Sequence, residues 1–139
     1  MPDRNDWNHQ MIETFRANGG KVGGMWEGRP LLLLTTTGAK SGQRRTSPVM
    51  YKNNGDRLFV FASKGGAPTN PDWYHNLLTH PEVTVEVGDQ TYDAIAIPVT
   101  GEERDHIYTQ WSEMYPQFGE YQKNTSRKIP VIVLERRKG

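Results

Sequence analysis

The chain predicts a mainly β fold, a barrel of about six mostly antiparallel strands with helices packed outside it. Three observations carry this. Six short extended segments are rich in β-branched and aromatic residues. Asn53-Asn54-Gly55-Asp56 and Gly88-Asp89 stand between consecutive segments, as hairpin turns do. Several strands are joined as hairpins and so are mostly antiparallel, with three short helices at the ends and edges, which argues against a doubly wound sheet. A length of 139 residues suits one domain with a single modest core. Within it, residues 1–30 read as an N-terminal helix and a glycine-rich loop, and residues 31–139 as the barrel.

Taken in order, residues 5–18 form a short helix. Trp7, Met11 and Phe15 recur at i, i+4 and i+8 beside Ile12, and Gly19 stands where a C-terminal cap belongs. Its apolar face is expected on the barrel, because Arg4 and Arg16 alone do not make a membrane-surface helix. Residues 19–30 hold five glycines with Met25 and Trp26, an irregular loop. Four leucines and three threonines follow as a buried strand. Gly38 and Gly42 break it, with Lys40, Ser41, Gln43, Arg44 and Arg45 between and just after them. Residues 46–52 form the next strand, in which Pro48 limits ladder pairing.

This strand, basic turn and strand organise the rest. Glycines let backbone amides face inward, and lysine, serine and arginine add charge and donors, a combination suited to a phosphate or carboxylate. It is not a nucleotide P-loop, since G-x-x-x-x-G-K-[ST] is absent and no helix comes after it. A lone turn of this composition is more often a solvated hairpin, so its role depends on the residues that the rest of the chain sets beside it.

After the turn at Gly55, residues 57–62 form a strand ending in Ser63-Lys64-Gly65-Gly66, a second glycine-rich basic turn. Asn70 reads as an N-cap with Pro71 at the first helical position, and the helix stops at Pro81. Val83, Val85 and Val87 alternate with Thr84 and Glu86 as a half-buried strand, and residues 91–99 form its partner. Thr100 with Glu103 makes a capping box, opening a helix to about Tyr115 that Pro116 ends. Residues 117–128 read as a polar loop and residues 130–135 as the last strand.

Composition excludes several functions. A net charge of +1 does not suit a nucleic-acid binder, and the absence of cysteine removes disulfides, iron–sulfur clusters and thiolate chemistry. His9, His75, His80 and His106 lack metal-ligand spacing, so no metal site is expected. The longest apolar run, residues 31–34, is too short to span a bilayer, and the N-terminus has no signal-peptide core. With a mean hydropathy of −0.77, the chain reads as cytoplasmic. Peripheral membrane contact is left open.

The residues with chemistry form a set: Lys40, Ser41 and Arg45 from one turn, Ser63 and Lys64 from another, and Trp73, Tyr74 and Asn76 from the helix after it. Together they suit a planar cofactor with an anionic tail. Singly, Trp73 and Tyr74 are packing residues. Tyr108 and Trp111 fall at core spacing with Tyr115, and only Tyr115, beside Pro116, is expected to turn a hydroxyl to a cavity.

Thr35-Thr36-Thr37-Gly38-x-Lys40-Ser41-Gly42-Gln43-x-Arg45, Ala62-Ser63-Lys64-Gly65-Gly66, Asn70-Pro71-x-Trp73-Tyr74-x-Asn76-Leu77 and Met114-Tyr115-Pro116 carry a further resemblance. In order and spacing the chain from residue 31 onward resembles the deazaflavin-dependent nitroreductase family, which binds coenzyme F420 on a split β-barrel of the FMN-binding type. The resemblance implies that the cofactor, an 8-hydroxy-5-deazaflavin, is contacted by Ala39, Lys40, Ser41 and Gly42; by Arg45, Thr46, Ser47, Pro48 and Val49; by Phe61, Ala62, Ser63 and Lys64; and by Asp72, Trp73, Tyr74, His75 and Asn76. The first turn would hold the phosphate and glutamyl tail, and Pro48 and Val49 would lie along the ring. Ser63, Tyr115 and Tyr121 would act on the acceptor. The implied reaction is hydride transfer from reduced F420 to an organic acceptor, a quinone or an activated nitro or enone compound. Two departures stand out: Ala39 replaces a frequent arginine, with Arg44 as a candidate substitute, and Phe118 replaces a tyrosine of some members. The alternatives are an FMN-dependent oxidoreductase of related fold and a barrel that binds the cofactor without turnover.

Overall fold

Leucines at four consecutive positions of a strand must point alternately to its two faces, so both faces of residues 31–34 have to be covered. In a computed structural model that describes residues 4–19, 30–54, 57–63, 70–88, 90–126 and 128–137, they are. Leu32 and Leu34 enter one cluster, whereas Leu31 and Leu33 enter another with Met11 and Phe15. The chain runs α1 (Arg4–Ala17), β1 (Leu31–Thr37), β2 (Arg44–Asn54), β3 (Arg57–Phe61), α2 (Asp72–Thr79), β4 (Glu82–Val87), β5 (Gln90–Val99), α3 (Gly101–Met114), α4 (Pro116–Lys123) and β6 (Val131–Arg136). The six strands close into a barrel in the order β1-β2-β3-β6-β5-β4 with every pairing antiparallel. The predicted mainly β barrel with peripheral helices is the observed fold.

The cluster of Leu32 and Leu34 fills the barrel. It joins Leu58, Val60, Val83, Val85, Ala94, Ala96, Ile132 and Leu134, and α2 adds Trp73 and Leu77. Outside, Phe59, Phe61, Val131 and Val133 meet Ile107, Tyr108 and Trp111 of α3 and Phe118 of α4. On the other flank α1 lays Met11 and Phe15 over Leu31 and Leu33, and its Arg16 makes a two-point ion pair with Glu86 of β4 at 2.9 and 2.8 Å. Burying Phe15, 2% exposed, is worth about 1.5–3 kcal/mol, which outweighs any contribution of the exposed pair. Trp7 lies outside the described side chains, and residues 20–29 of the glycine-rich loop lie outside the described residues.

Hairpin chemistry fits the prediction. Asn54 pairs with Arg57 and Val87 with Gln90, which leaves two connecting residues in each case. Gly88 has φ +57°, a conformation that costs glycine little. Gly19 has φ +62° just after α1, as a C-terminal cap requires.

Four local expectations are corrected. β2 starts at Arg44, two residues early, and Pro48 is paired in register with Leu33 of β1. It is tolerated because β2 pairs with β3 only from Tyr51 onward, so the first half of β2 has a neighbour on one side. Asn70 is not the N-cap of α2; Pro71 occupies that position, and its carbonyl accepts from the Tyr74 amide at 3.1 Å. Thr100 makes no side-chain cap bond, and the Glu103 carboxylate turns instead to Arg57 at 3.3 Å. The polar loop expected over residues 117–128 is largely a helix, α4, with Pro116 preset for its first turn.

Candidate functional site

The basic turn is built from its own backbone. The Gly38 amide donates to the Gln43 carbonyl at 2.8 Å, and the Gly42 amide to the Gly38 carbonyl at 3.0 Å. Ser41 Oγ accepts from the Gln43 amide at 3.1 Å, and a Cβ on Gly38 would collide with that oxygen. Gly42 has φ +71°. One side chain ties this turn to the rest: Asn76 Oδ1 accepts from the Ala39 amide at 3.0 Å while Asn76 Nδ2 donates to Thr36 Oγ1 at 3.2 Å. The structure thus brings the first turn and α2 together, as the sequence suggested, through an amide clamp. Lys40 and Arg45 project beside it, exposed and without a hydrogen-bond or ion-pair partner among the described residues. Arg44 is directed elsewhere. It donates to Thr37 Oγ1 at 3.1 Å and Thr84 Oγ1 at 2.6 Å, and Thr84 in turn donates to Asp93.

β2 divides its predicted site residues between two faces. Register places Ser47 opposite Leu34 and Val49 opposite Leu32, so both face the barrel interior, where Val49 packs on the core. Thr46, Pro48 and Met50 take the outer face, half-buried. Pro48 and Val49, expected side by side along a ring, therefore point in opposite directions. The Tyr51 amide donates to the Pro30 carbonyl on the β1 side at 3.1 Å. Alternation then turns the backbone polar groups of Thr46 and Pro48 to the side that β3 does not cover, while those of Met50 fall opposite Phe61 of β3. The missing amide hydrogen of Pro48 falls on this open side.

Aromatic residues flank that outer face. Phe61 stacks on Trp111 with centroids 4.6 Å apart and 11° between planes, and Tyr115 meets Trp111 at 4.6 Å. Phe118 lies 6.1 Å from Phe61 and 5.3 Å from Tyr121. Met50 packs against both this group and the α1 group, which places it between the two flanks. Tyr115 and Tyr121 are half-buried, whereas Phe118 is 6% exposed and belongs to the core rather than to an open wall. Ser63 follows Phe61 and Ala62, half-buried, at the end of β3. Ala62 is interior, as is Trp73 at 9% exposure, and Tyr74 packs on the same core. Asp72 and His75 are exposed on α2. Lys64 lies outside the described residues.

The donor set fits a planar cofactor with an anionic tail. Two unpaired cations stand at a turn held in place by Asn76. A strand edge with unpaired backbone groups borders an apolar, aromatic surface. The wholly buried Trp111 Nε1 has no hydrogen-bond partner among the described residues, an orphaned donor within that surface. A cavity of about 410 Å³ between α3 and α4 is lined by Tyr108, Ser112, Gly119 and Gln122 among others, and none of the predicted site residues borders it. Its one cation, Lys123, is paired with Glu120 at 3.5 Å, and it lies apart from Lys40, Arg45 and β2. Sequence reading did not single out Thr36, Met50 and Trp111, which the structure places beside the candidate residues. The period-2 pattern of the strands signals the first two, and Trp111 was assigned to packing, where it also belongs.

Comparison with known proteins decides which ligand chemistry this is. A family model described as F420H(2)-dependent quinone reductase matches residues 7–136. The chain belongs to the F420H(2)-dependent quinone reductase family. It is thus an oxidoreductase whose cofactor is coenzyme F420. The resemblance to F420 enzymes holds, but nitroreductase is a different family label. Over 128 residues the chain is 41% identical to the F420H(2)-dependent quinone reductase of Mycobacterium tuberculosis, covering 88% of this chain and 85% of that protein. A solved structure titled F420-H2 dependent reductase (FDR-A) is 44% identical with a TM-score of 0.70, covering 77% of this chain and 95% of that one. Another, titled as a domain-swapped dimer, is 40% identical with a TM-score of 0.73, covering 96% and 100%. Among the described residues, no helix of this quinone reductase family member is long and apolar enough to cross a membrane.

Proposed function

We propose that this chain reduces a quinone with reduced coenzyme F420, seating the cofactor's tail at the first turn and its ring along the outer face of β2. The observation that carries the placement is the meeting of the unpaired Lys40 and Arg45 with the open half of β2. Both cations stand where β1 ends and β2 begins, and the aromatic surface of Phe61 and Trp111 lies farther along the outside of the barrel. Bidentate or charge-assisted contacts from Lys40, Arg45 and the Ser41 hydroxyl suit phosphate and carboxylate groups. Thr46 offers a backbone donor and acceptor, and Pro48 a carbonyl, to a ring edge. Of the residues expected at the cofactor, Ala39, Gly42 and Asn76 act by shaping the turn. Ala62, Val49 and Trp73 act by filling the barrel beneath it.

When bound, reduced F420 supplies a hydride from its deazaflavin ring. The chain's own residues orient the acceptor and manage charge. A quinone that takes up one hydride and one proton becomes a hydroquinone, and negative charge develops on its oxygen. Ser63, Tyr115 and Tyr121 are the hydroxyls we assign to donate hydrogen bonds to that oxygen, with a proton following from the phenols or from water. Activated nitro and enone compounds, whose charge also gathers on oxygen, are opportunistic acceptors in this reading. We read the whole chain as one cytoplasmic domain, with its barrel at residues 31–139.

The test pairs binding with turnover. F420 and FMN are titrated into the purified chain by fluorescence, and oxidation of F420H2 by menadione is followed by absorbance. Tight F420 binding, weak FMN binding and F420H2-dependent menadione reduction are expected. FMN binding with F420 excluded, or F420 binding without turnover on any acceptor, overturns the proposal.

A further inference from the structure

α3 carries a buried cation with no role in the cofactor site. Arg104 is 7% exposed, yet its one carboxylate partner among the described residues is the exposed neighbour Asp105 at 3.3 Å. Its Nε and Nη2 both donate to the Ile129 carbonyl, at 3.0 and 2.7 Å, and Nη2 also donates to Gln122 Oε1 at 2.8 Å. The same Gln122 oxygen accepts from the Ile129 amide at 3.0 Å. The guanidinium lies 4.5 Å over the Tyr108 ring, and the Tyr108 hydroxyl donates to the Phe118 carbonyl at 2.6 Å. Arg104 and Tyr108 are four residues apart on one face of α3. Between them they grip α4 at its first turn, through Phe118, and at its last, through Gln122, and they hold the segment leading into β6.

A desolvated guanidinium is a poor way to stick two helices together, because apolar residues of similar volume often pack as well or better. What apolar contact lacks is direction. The planar fork of arginine fixes how far α4 slides and rotates on α3, since each of its bonds has its own angle. Those two degrees of freedom matter here. α4 carries Phe118 and Tyr121, and the Phe118 amide donates to the Tyr115 carbonyl at 3.0 Å, so the stations of both tyrosines follow the placement of this helix.

We propose that Arg104, acting through Gln122 and together with Tyr108, is a positioning residue for the acceptor. It sets where Tyr115 and Tyr121 stand beside Phe61 and touches neither cofactor nor acceptor. The inference rests on the proposed function, in which these tyrosines face the acceptor. It separates two functions that the barrel holds side by side: the tail and ring seat depends on β2 and α2, and the acceptor wall depends on the α3–α4 clamp.

The test uses the full chain with F420H2 and menadione. Arg104→Lys keeps the charge but loses the fork, and Gln122→Met removes the shared oxygen at similar volume. Gln122→Glu keeps an acceptor for both Arg104 and the Ile129 amide. For the first two, KM for menadione should rise on the order of tenfold, the scale expected of sub-ångström misplacement, while F420 affinity stays within about twofold. Gln122→Glu should restore KM to near that of the parent. A clamp serving stability alone would lower the folded, F420-binding fraction and kcat together and leave KM unmoved, which overturns the proposal. So does an F420 affinity that falls in step with KM. A parent that reduces no menadione overturns the functional reading and this inference with it; an active parent with unmoved KM in both variants overturns this inference alone.

Discussion

Asn76→Ala removes two hydrogen bonds at once, one that anchors the Ala39 amide and one that satisfies Thr36. Neutral bonds of this kind are each worth about 1 kcal/mol net, so about 2 kcal/mol of stability should go. Thr36 is 1% exposed, so water cannot readily replace its partner, and this places the loss in the upper part of the range. Ala39 is half-buried and its amide can be hydrated, which limits the excess. Freed from α2, the turn must be ordered again when F420 binds. Fixing the backbone of one residue costs roughly 1–2 kcal/mol, so re-ordering Ala39 alone weakens affinity on the order of tenfold. Asn76→Asp keeps the oxygen that Ala39 needs and can accept from the Thr36 hydroxyl, so it should recover most of both losses. Urea unfolding followed by tryptophan fluorescence measures the first quantity and F420 titration the second. The reasoning is refuted if Asn76→Ala keeps the parent's midpoint and affinity, or if Asn76→Asp is as damaged as Asn76→Ala.

Lys40→Ala combined with Arg45→Ala should weaken F420 binding by about 1.5–3 kcal/mol per lost charged contact, and much less for a tail-less deazaflavin analogue; equal losses in parallel titrations would reduce the turn to a folding element. Trp73→Ala should cost about 3–5 kcal/mol in chemical denaturation, since its ring lies in the barrel core, and a loss below about 1 kcal/mol would remove it from that core. Tyr115→Phe, alone and with Ser63→Ala, should lower kcat for menadione, by up to about 3 kcal/mol in the barrier, with F420 affinity unchanged; full turnover in the double variant would mean that water alone meets the acceptor's charge. Hydrogen bonding to Lys128 chiefly, with Arg104 adding, holds the Asp105 carboxyl below its ordinary value. Its stabilising contribution is therefore present at neutral pH and lost as pH falls through the carboxylate range, so Asp105→Asn should flatten the acid side of a Tm-versus-pH curve. An unchanged acid limb would show that the pair contributes nothing.

How much of this was legible depended on the range of the interaction. Strands announced themselves through period-2 alternation and hairpin glycines, and the barrel followed from their number and from the hairpins that make them antiparallel. The clustering of Lys40, Ser41 and Arg45 with Asn76 was also readable, because two short motifs flank one another in the fold. What stayed hidden depended on register. Nothing local to residues 46–50 says which of Pro48 and Val49 faces the core; pairing with Leu33 and Leu32 across the ladder decides it. α4 was lost to its polar composition, although Pro116 at a helix start and Phe118 and Tyr121 three apart were signals for it. Thr100 and Glu103 matched a local motif, but a distant partner, Arg57, took the carboxylate. Nothing local marks Arg104 as buried, and only the carbonyl brought in by residue 129 makes it a clamp.

The alternation along β2 has an engineering consequence. Arg45 aside, its odd-numbered residues from Ser47 to Tyr51 border the barrel core, and its even-numbered residues from Thr46 to Met50 border the outer surface. If the cofactor lies along that outer surface as proposed, one strand addresses stability and ligand preference through separate, interleaved sets of codons. A library randomised at 46, 48 and 50 tests recognition while leaving the barrel interior fixed, and one at 47, 49 and 51 tests robustness beneath an unaltered outer face. Mutational tolerance along this strand should have a period of two, and the two libraries can be screened apart and their best members combined.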